Sequence, residues 1–197
     1  VVKKTYMQLI TVALVALLIN GLLALYAQAR GRVVLRQTFT ADQLTEGASS
    51  GPFTVRSNNS VVRIKSTSTP KLSNEWMALD LRVVKDDEFM IHECEQDIQY
   101  YSGYDGGERW SEGGQSDSVY VKVPQKGSYR ILLDAVSAGG NAVNSDRTIH
   151  GAGLVVTEGV IVPYFFIGSA VLSLVVLVLV VVAYTNWRKG DDDDEED

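Results

Sequence analysis

The side chains most able to do chemistry gather between Tyr100 and Gly114. Tyr100, Tyr101, Tyr104 and Trp110 surround Asp105, Glu108 and Glu112, with five glycines among them. Aromatic faces beside carboxylates suit stacking against a sugar ring or an extended peptide. Tyr100, Tyr101, Tyr104, Asp105, Trp110 and Glu112 are therefore the candidate ligand-binding residues. The structural alternative is favoured on residue type: Trp110 and a tyrosine plug one end of a β-domain while the glycines supply turns at positive φ. Asp105, Glu108 and Glu112 could also offer oxygens to Ca²⁺. That ion wants about six to eight of them in a preformed cup, and the spacing matches no EF-hand. Solvated turn carboxylates are the expectation, with no metal.

A second cluster, His92-Glu93-Cys94-Glu95, falls in an expected strand. Alternation puts His92 and Cys94 on one face and both glutamates on the other. Zinc or nucleophilic chemistry needs further His, Cys or Asp partners, and the other histidine, His150, is distant in sequence. Cys94 reads as a small buried apolar residue. No nucleophile elbow, phosphate-binding loop, zinc-protease helix or dinucleotide fingerprint occurs. No catalytic residue and no cofactor are expected, and the chain does not read as an enzyme.

The elements that hold these residues are set by a membrane pattern. The chain has 197 residues, a net charge of -6 and a single cysteine. That leaves room for one modest domain besides membrane segments, and no internal disulfide framework. No charged side chain occurs from Val160 to Tyr184; about 25 residues rise roughly 37 Å as a helix, enough to cross a bilayer. Tyr164 and Trp187 lie near its ends, where amphipathic rings favour the headgroups. A second charge-free run covers Leu9 to Ala27. Ala27-Gln28-Ala29 resembles a signal cleavage site, but the apolar run is longer than a signal core, so an uncleaved span is expected. Lys3 and Lys4 before the first span and Arg188 and Lys189 after the second place both ends in the cytoplasm. The expected organisation is a cytoplasmic start at 1–8, a transmembrane helix at 9–29, an extracytoplasmic domain at 30–158, a transmembrane helix at 159–187 and an acidic cytoplasmic tail at 188–197.

In the first span Ala16, Asn20 and Ala24 share a face, with Ala13 and Ala27 beside them; in the second, Ser169 and Ser173 keep a small-xxx-small spacing. Small residues admit a close neighbouring helix, and Asn20 wants a hydrogen-bond partner in lipid. Ala16, Asn20, Ala24, Ser169 and Ser173 are the candidate helix-packing residues. The plainer alternative for Asn20 is a bond to a nearby carbonyl of its own helix.

From Val33 to Glu158 the pattern is all-β. The expected strands are Val33 to Thr40, Phe53 to Arg56, Val61 to Ser66, Trp76 to Val84, Phe89 to Tyr100, Ser118 to Val123, Ser128 to Val136 and Gly153 to Thr157. Val119, Val121 and Val123 alternate with Tyr120 and Lys122, the mark of a half-buried strand. Gly, Pro, Asn, Asp and Ser punctuate the gaps. About eight short strands with regular turns predict a β-sandwich, with the jelly roll as the candidate topology. Ser137 to Gly153 reads as the most mobile loop. Asp191 to Asp197 is a run of seven carboxylates, expected to be disordered alone and suited to a basic partner surface. Nucleic acid is excluded as a partner, since phosphate binding needs clustered Lys and Arg.

The segment Tyr100-Tyr101-Ser102-Gly103-Tyr104-Asp105-Gly106-Gly107-Glu108-Arg109-Trp110-Ser111-Glu112-Gly113, with Asn74-Glu75-Trp76 before it and Val123-Pro124-Gln125-Lys126-Gly127-Ser128-Tyr129 after it, resembles the β-rich membrane-proximal region of an uncharacterised family of bacterial envelope proteins with a YYxGxDGGxxWSEG signature. The resemblance covers residues 51 to 136. It implies an envelope β-domain and assembly with membrane partners, and no reaction. The resulting expectation is a non-enzymatic accessory or scaffold subunit of a bacterial membrane complex. Its partners are the lipid bilayer and other membrane subunits or copies of itself. The alternative is a glycan- or peptide-binding module that uses Tyr100 to Gly114.

Overall fold

The computed structural model describes residues 2–86, 89–140 and 149–193. It divides into a helical unit, formed by the residues before Gly31 and after Val160, and a β unit, Gly31–Val160.

In the helical unit, α1 spans Val2–Ala29 and α3 spans Tyr164–Asp193. Both are long and apolar enough to cross a membrane. α1 starts earlier and α3 ends later than the apolar runs, because the i to i−4 ladder continues through polar side chains once nucleated. Pro163 precedes α3, and its carbonyl accepts from the Phe166 and Ile167 N–H groups. The helices lie antiparallel: Tyr6 near the start of α1 stacks on Trp187 near the end of α3 at 6.0 Å and meets Tyr184 at 5.7 Å. The less exposed positions of α1 include Tyr6, Ile10, Ala13, Leu17, Asn20, Ala24 and Ala27; those of α3 include Phe166, Ala170, Ser173, Leu177, Val180, Tyr184 and Trp187. Both rows step by four and three residues, the 3.5-residue period of a left-handed helix pair. The remaining apolar side chains of both helices point outward.

In the β unit, alternating apolar residues build two antiparallel sheets. One has the order β1 (Arg32–Phe39), β10 (Gly151–Glu158), β4 (Ser60–Thr69), β8 (Ser116–Val123). The other runs β2 (Ala48–Ser49), β9 (Gly127–Gly140), β5 (Glu75–Lys85), β6 (Phe89–Asp105), β7 (Glu108–Gly113), with β3 (Phe53–Val55) also on β9. Taking β2 and β3 as one and setting β7 aside, the eight principal strands are ordered 1-8-3-6 and 2-7-4-5. The inward residues of both sheets form one core, among them Ile64, Val121 and Leu154 from the first and Leu79, Leu81, Ile98 and Ile131 from the second. Gln96 on β6 is fully buried between the sheets; it accepts from Ser66 Oγ on β4 at 2.5 Å and donates to the Ile64 carbonyl at 3.2 Å.

The eight expected strands are all present, several of them longer than the pattern predicts. Besides the two-residue β2, two elements have no counterpart in the sequence pattern. One is α2 (Ala41–Glu46), closed by a capping box in which Thr40 Oγ1 accepts from the Gln43 N–H and Gln43 Oε1 from the Thr40 N–H. It buries Leu44 and touches β9 and β10, one strand of each sheet. The other is β7, in the stretch read as a loop. Residues 141–148 of the expected mobile loop and 194–197 of the acidic tail lie outside the described residues.

Strand direction gives the β unit two distinct ends. The starts of β1, β4, β6 and β9 and the ends of β5, β8 and β10 share one rim. The registers Arg32↔Glu158, Val62↔Glu158, Ser60↔Val123 and Lys85↔Phe89 establish this within each sheet, and the short β8–β9 connection joins them. Gly31 and Val160, where the chain leaves for the helices, lie on that rim. Glu158 anchors it, accepting from the Arg56 N–H at 2.5 Å and from Arg32 at 2.8 Å.

Candidate functional site

β6 is the longest strand, and β5 accompanies it only as far as the Glu75↔Tyr100 pair. Beyond that point Tyr101 to Asp105 pair with β7 alone. The β6–β7 hairpin therefore projects past the rim opposite Gly31 and Val160, by about 16 Å at a strand rise near 3.3 Å per residue. Gly106 and Gly107 close it with φ of 57° and 89°, the two positive φ values of a two-residue hairpin turn whose twist matches the strands. At its base Gly113 (φ 80°) is obligatory, because a Cβ there would lie 2.1 Å from the Gln99 carbonyl oxygen. Asn74 Oδ1 accepts from the Ser102 N–H at 2.6 Å and secures the same base.

Cross-strand pairing decides which side chains share a face. Gly103 pairs with Trp110, Tyr101 with Glu112 and Asp105 with Glu108 on one face; Tyr100, Ser102 and Tyr104 with Gly113, Ser111 and Arg109 on the other. The six candidate residues are thus not one cluster. Tyr101, Asp105, Trp110 and Glu112 share a face, and Tyr100 and Tyr104 take the reverse side. The Trp110 indole lies against Gly103, where a Cβ would come within 2.8 Å of three ring atoms. Trp110 is still 45% exposed and Tyr104 73%. An open concavity at the hairpin is lined by Tyr100, Ser102, Gly103, Tyr104, Arg109, Trp110 and Ser111.

The expectation that Trp110 plugs one end of the core is corrected here. The ring sits on the outlying hairpin, and every residue of β7 is exposed. The physical reason is the length of β6: the strand outruns its sheet and carries Trp110's partner with it. A tryptophan resting on a glycine, with Glu108 and Glu112 two residues to either side on the same face, presents a partly exposed apolar surface near hydrogen-bond acceptors.

The remaining candidates have other positions. In α1, Ala13, Ala24 and Ala27 are buried, and Ala16 and Asn20 are half-buried, on the face that meets α3. Asn20 Nδ2 donates to the Ala16 carbonyl at 2.9 Å, so its polar demand is met within its own helix. Ser173 lies on the α3 contact row and donates to the Ser169 carbonyl at 2.8 Å, whereas Ser169 itself is exposed off that row. Cys94 is half-buried; burial pushes its thiol up, with Asp80, Asp117 and Glu93 adding to the effect, which keeps it protonated and a poor nucleophile. His92 is exposed, and His150 Nε2 sits 3.1 Å from Glu75 Oε2. Among the described residues no three His, Cys, Asp or Glu side chains converge as metal ligands.

No family model and no curated protein sequence matches the chain. Solved structures give distant likenesses. The Agl-KA catalytic domain has a TM-score of 0.35 at 11% identity over 67% of this chain and 26% of its own, so this chain spans about a quarter of that protein. The native virion of Kashmir bee virus at acidic pH gives 0.34 at 10% identity over 66% of this chain and 70% of its own. CorA, a surface-associated copper-binding protein of Methylomicrobium album BG8, gives 0.35 at 7% identity over 66% of this chain and 94% of its own.

Proposed function

We propose that this chain is a non-enzymatic, membrane-anchored recognition protein of the cell envelope. α1 and α3 span the cytoplasmic membrane as a hairpin, both termini stay inside, and the β unit stands outside as a jelly roll that offers its β6–β7 hairpin to envelope glycan. The strand orders 1-8-3-6 and 2-7-4-5 support the jelly-roll assignment. The outward apolar surface of both helices and the flanking lysines and arginines support the span and its orientation.

One observation carries the recognition role: a tryptophan laid on Gly103, with exposed carboxylates beside it, on a hairpin at the end of the β unit away from the helix connections. A sugar ring stacks its C–H face on such a surface and donates hydroxyls to Asp105, Glu108 and Glu112. The accessory-subunit expectation drew on the small-residue face of α1. That face packs against the chain's own α3, so it does not call for a second protein.

The test is retention of the full detergent-solubilised chain on immobilised envelope polysaccharide and on N-acetylglucosamine oligomers. Retention should fall at least tenfold in Trp110→Ala. Equal retention of both forms, or of neither, overturns the glycan assignment; retention on extended peptides that is lost with Trp110 redirects it to peptide.

A further inference from the structure

The two outer faces of the β unit carry opposite charge. On the four-stranded sheet the outward positions include Arg36, Arg63, Lys65 and Lys122, and no carboxylate. The registers place Arg36 and Lys65 on either side of Val155, and Lys122 opposite Val61. On the six-stranded sheet the outward positions include Asp134, Asp80 and Glu95, directly opposite one another across β9, β5 and β6, with Glu93 and Asp97 two residues to either side of Glu95. Arg82 offsets part of this, pairing with Asp134 and sitting 3.8 Å from Asp80. Glu93, Glu95 and Asp97 are exposed and form no ion pair among the described residues, and neither do Arg36, Lys65 or Lys122.

Like charges directly opposite across strands destabilise a sheet. A surface made only for solubility intersperses both signs. Here one outer face carries cations alone, and the other carries an excess of carboxylates over its two cations, Arg82 and Arg130. We propose that the β unit stacks on a second copy of this chain, the acidic face of one copy against the basic face of the next. Such a contact is head-to-tail, so a pair of copies still has one face of each kind free and the stack extends or closes into a ring. The occupant is a second copy because the complementary face is on the same domain. Where the membrane-anchor reading also holds, confinement to one bilayer raises the effective concentration of the partner face.

The experiment uses the full chain with Cys94→Ser, Glu93→Cys and Lys122→Cys, reconstituted in neutral phosphatidylcholine liposomes. A flexible bis-maleimide should join position 93 of one copy to position 122 of another and give a ladder of oligomers. The ladder should weaken severalfold at about 1 M salt, where the screening length shrinks to about 3 Å. Arg36→Glu with Lys65→Glu makes both faces acidic, and Glu95→Lys with Asp97→Lys makes both basic. Each form alone should drop to background, and a mixture of the two should restore the cross-link. No cross-link at low salt, a ladder indifferent to salt and to both reversals, or a mixture that stays at background overturns the proposal. Flotation of the same samples tests membrane insertion separately. Protein that does not float is cross-linked in detergent, so the failure of one reading is distinguishable from the failure of the other.

Discussion

Trp110→Ala separates a recognition surface from a structural plug, because the two roles differ in what the domain loses. Large aromatics that close a core cost about 3–5 kcal/mol on truncation. Trp110 is instead 45% exposed, and no residue from Tyr101 to Ser118 belongs to the core. Its packing partner is Gly103 on the neighbouring strand. Loss of the ring should therefore loosen the hairpin as a local opening without lowering the stability of the whole domain. The expected global cost is under about 1 kcal/mol. For a domain of this size that lowers the melting midpoint by less than ~5 °C, against ~10 °C or more for a plug. Calorimetry of the full chain in detergent reads this directly, and hydrogen exchange should show faster exchange at Ser102 and Ser111 with the β5 and β9 amides unchanged. A midpoint lowered by 10 °C or more would refute the reasoning, since the ring would then be holding the core closed.

Gly103→Ala should push the indole off its seat, because the new Cβ falls within 2.8 Å of the ring; glycan retention should drop as in Trp110→Ala while the melting midpoint holds. Ser66→Ala leaves the buried Gln96 carbonyl without its donor and should cost about 1–3 kcal/mol, with part recovered when Gln96→Leu is added; paired denaturation curves measure the coupling. Burial pushes the Glu158 carboxyl up, but the Arg56 N–H, the Arg32 guanidinium and the Ser57 N–H outweigh it and hold the group below its ordinary 4.5. A lowered folded value stabilises at pH above 4.5, and that contribution is lost as pH falls through the folded value. Glu158→Gln should thus be less stable than the parent at pH 7 and show a shallower acid decline in melting scans. In the helical unit Asn20→Leu should change little, since Asn20 bonds its own helix, whereas Ala24→Leu should separate α1 from α3 in spin-label distance measurements.

Strands were legible wherever one face is buried. Tyr129, Ile131 and Leu133 alternate into the core, and the same period marks Val119, Val121 and Val123. β7 has no such face: Glu108 to Gly113 are all exposed, so no apolar period exists to detect. Its strand state comes from pairing with the overrun of β6 and from the Gly106-Gly107 turn. Asp-Gly-Gly-Glu between two candidate strands was the available signal. α2 was likewise announced by Thr40 and Gln43 at capping-box spacing and was hidden by its single buried residue, Leu44. Charge separation shows the limit more sharply. The alternation of Glu93, Glu95 and Asp97 puts them on one face from sequence alone. That Asp80 and Asp134 join that row, while Lys65 and Lys122 share the opposite outer face, depends on strand order and register, which pattern does not encode.

The hairpin and the charged faces follow from one feature of the topology. The eight principal strands use their inward faces for a single core, which leaves the outer faces and the ends free of packing demands. Residues there are constrained by what they meet outside the domain. A tryptophan on an outlying strand keeps about half its surface in water, and a row of carboxylates stands across three strands, with Arg82 meeting only Asp80 and Asp134 of them. Neither arrangement adds to the core, and the acidic row works against the sheet that carries it. Sequence patterns that describe burial are silent about such positions. In this chain those positions carry the recognition and association proposals, each open to a substitution that leaves the core intact.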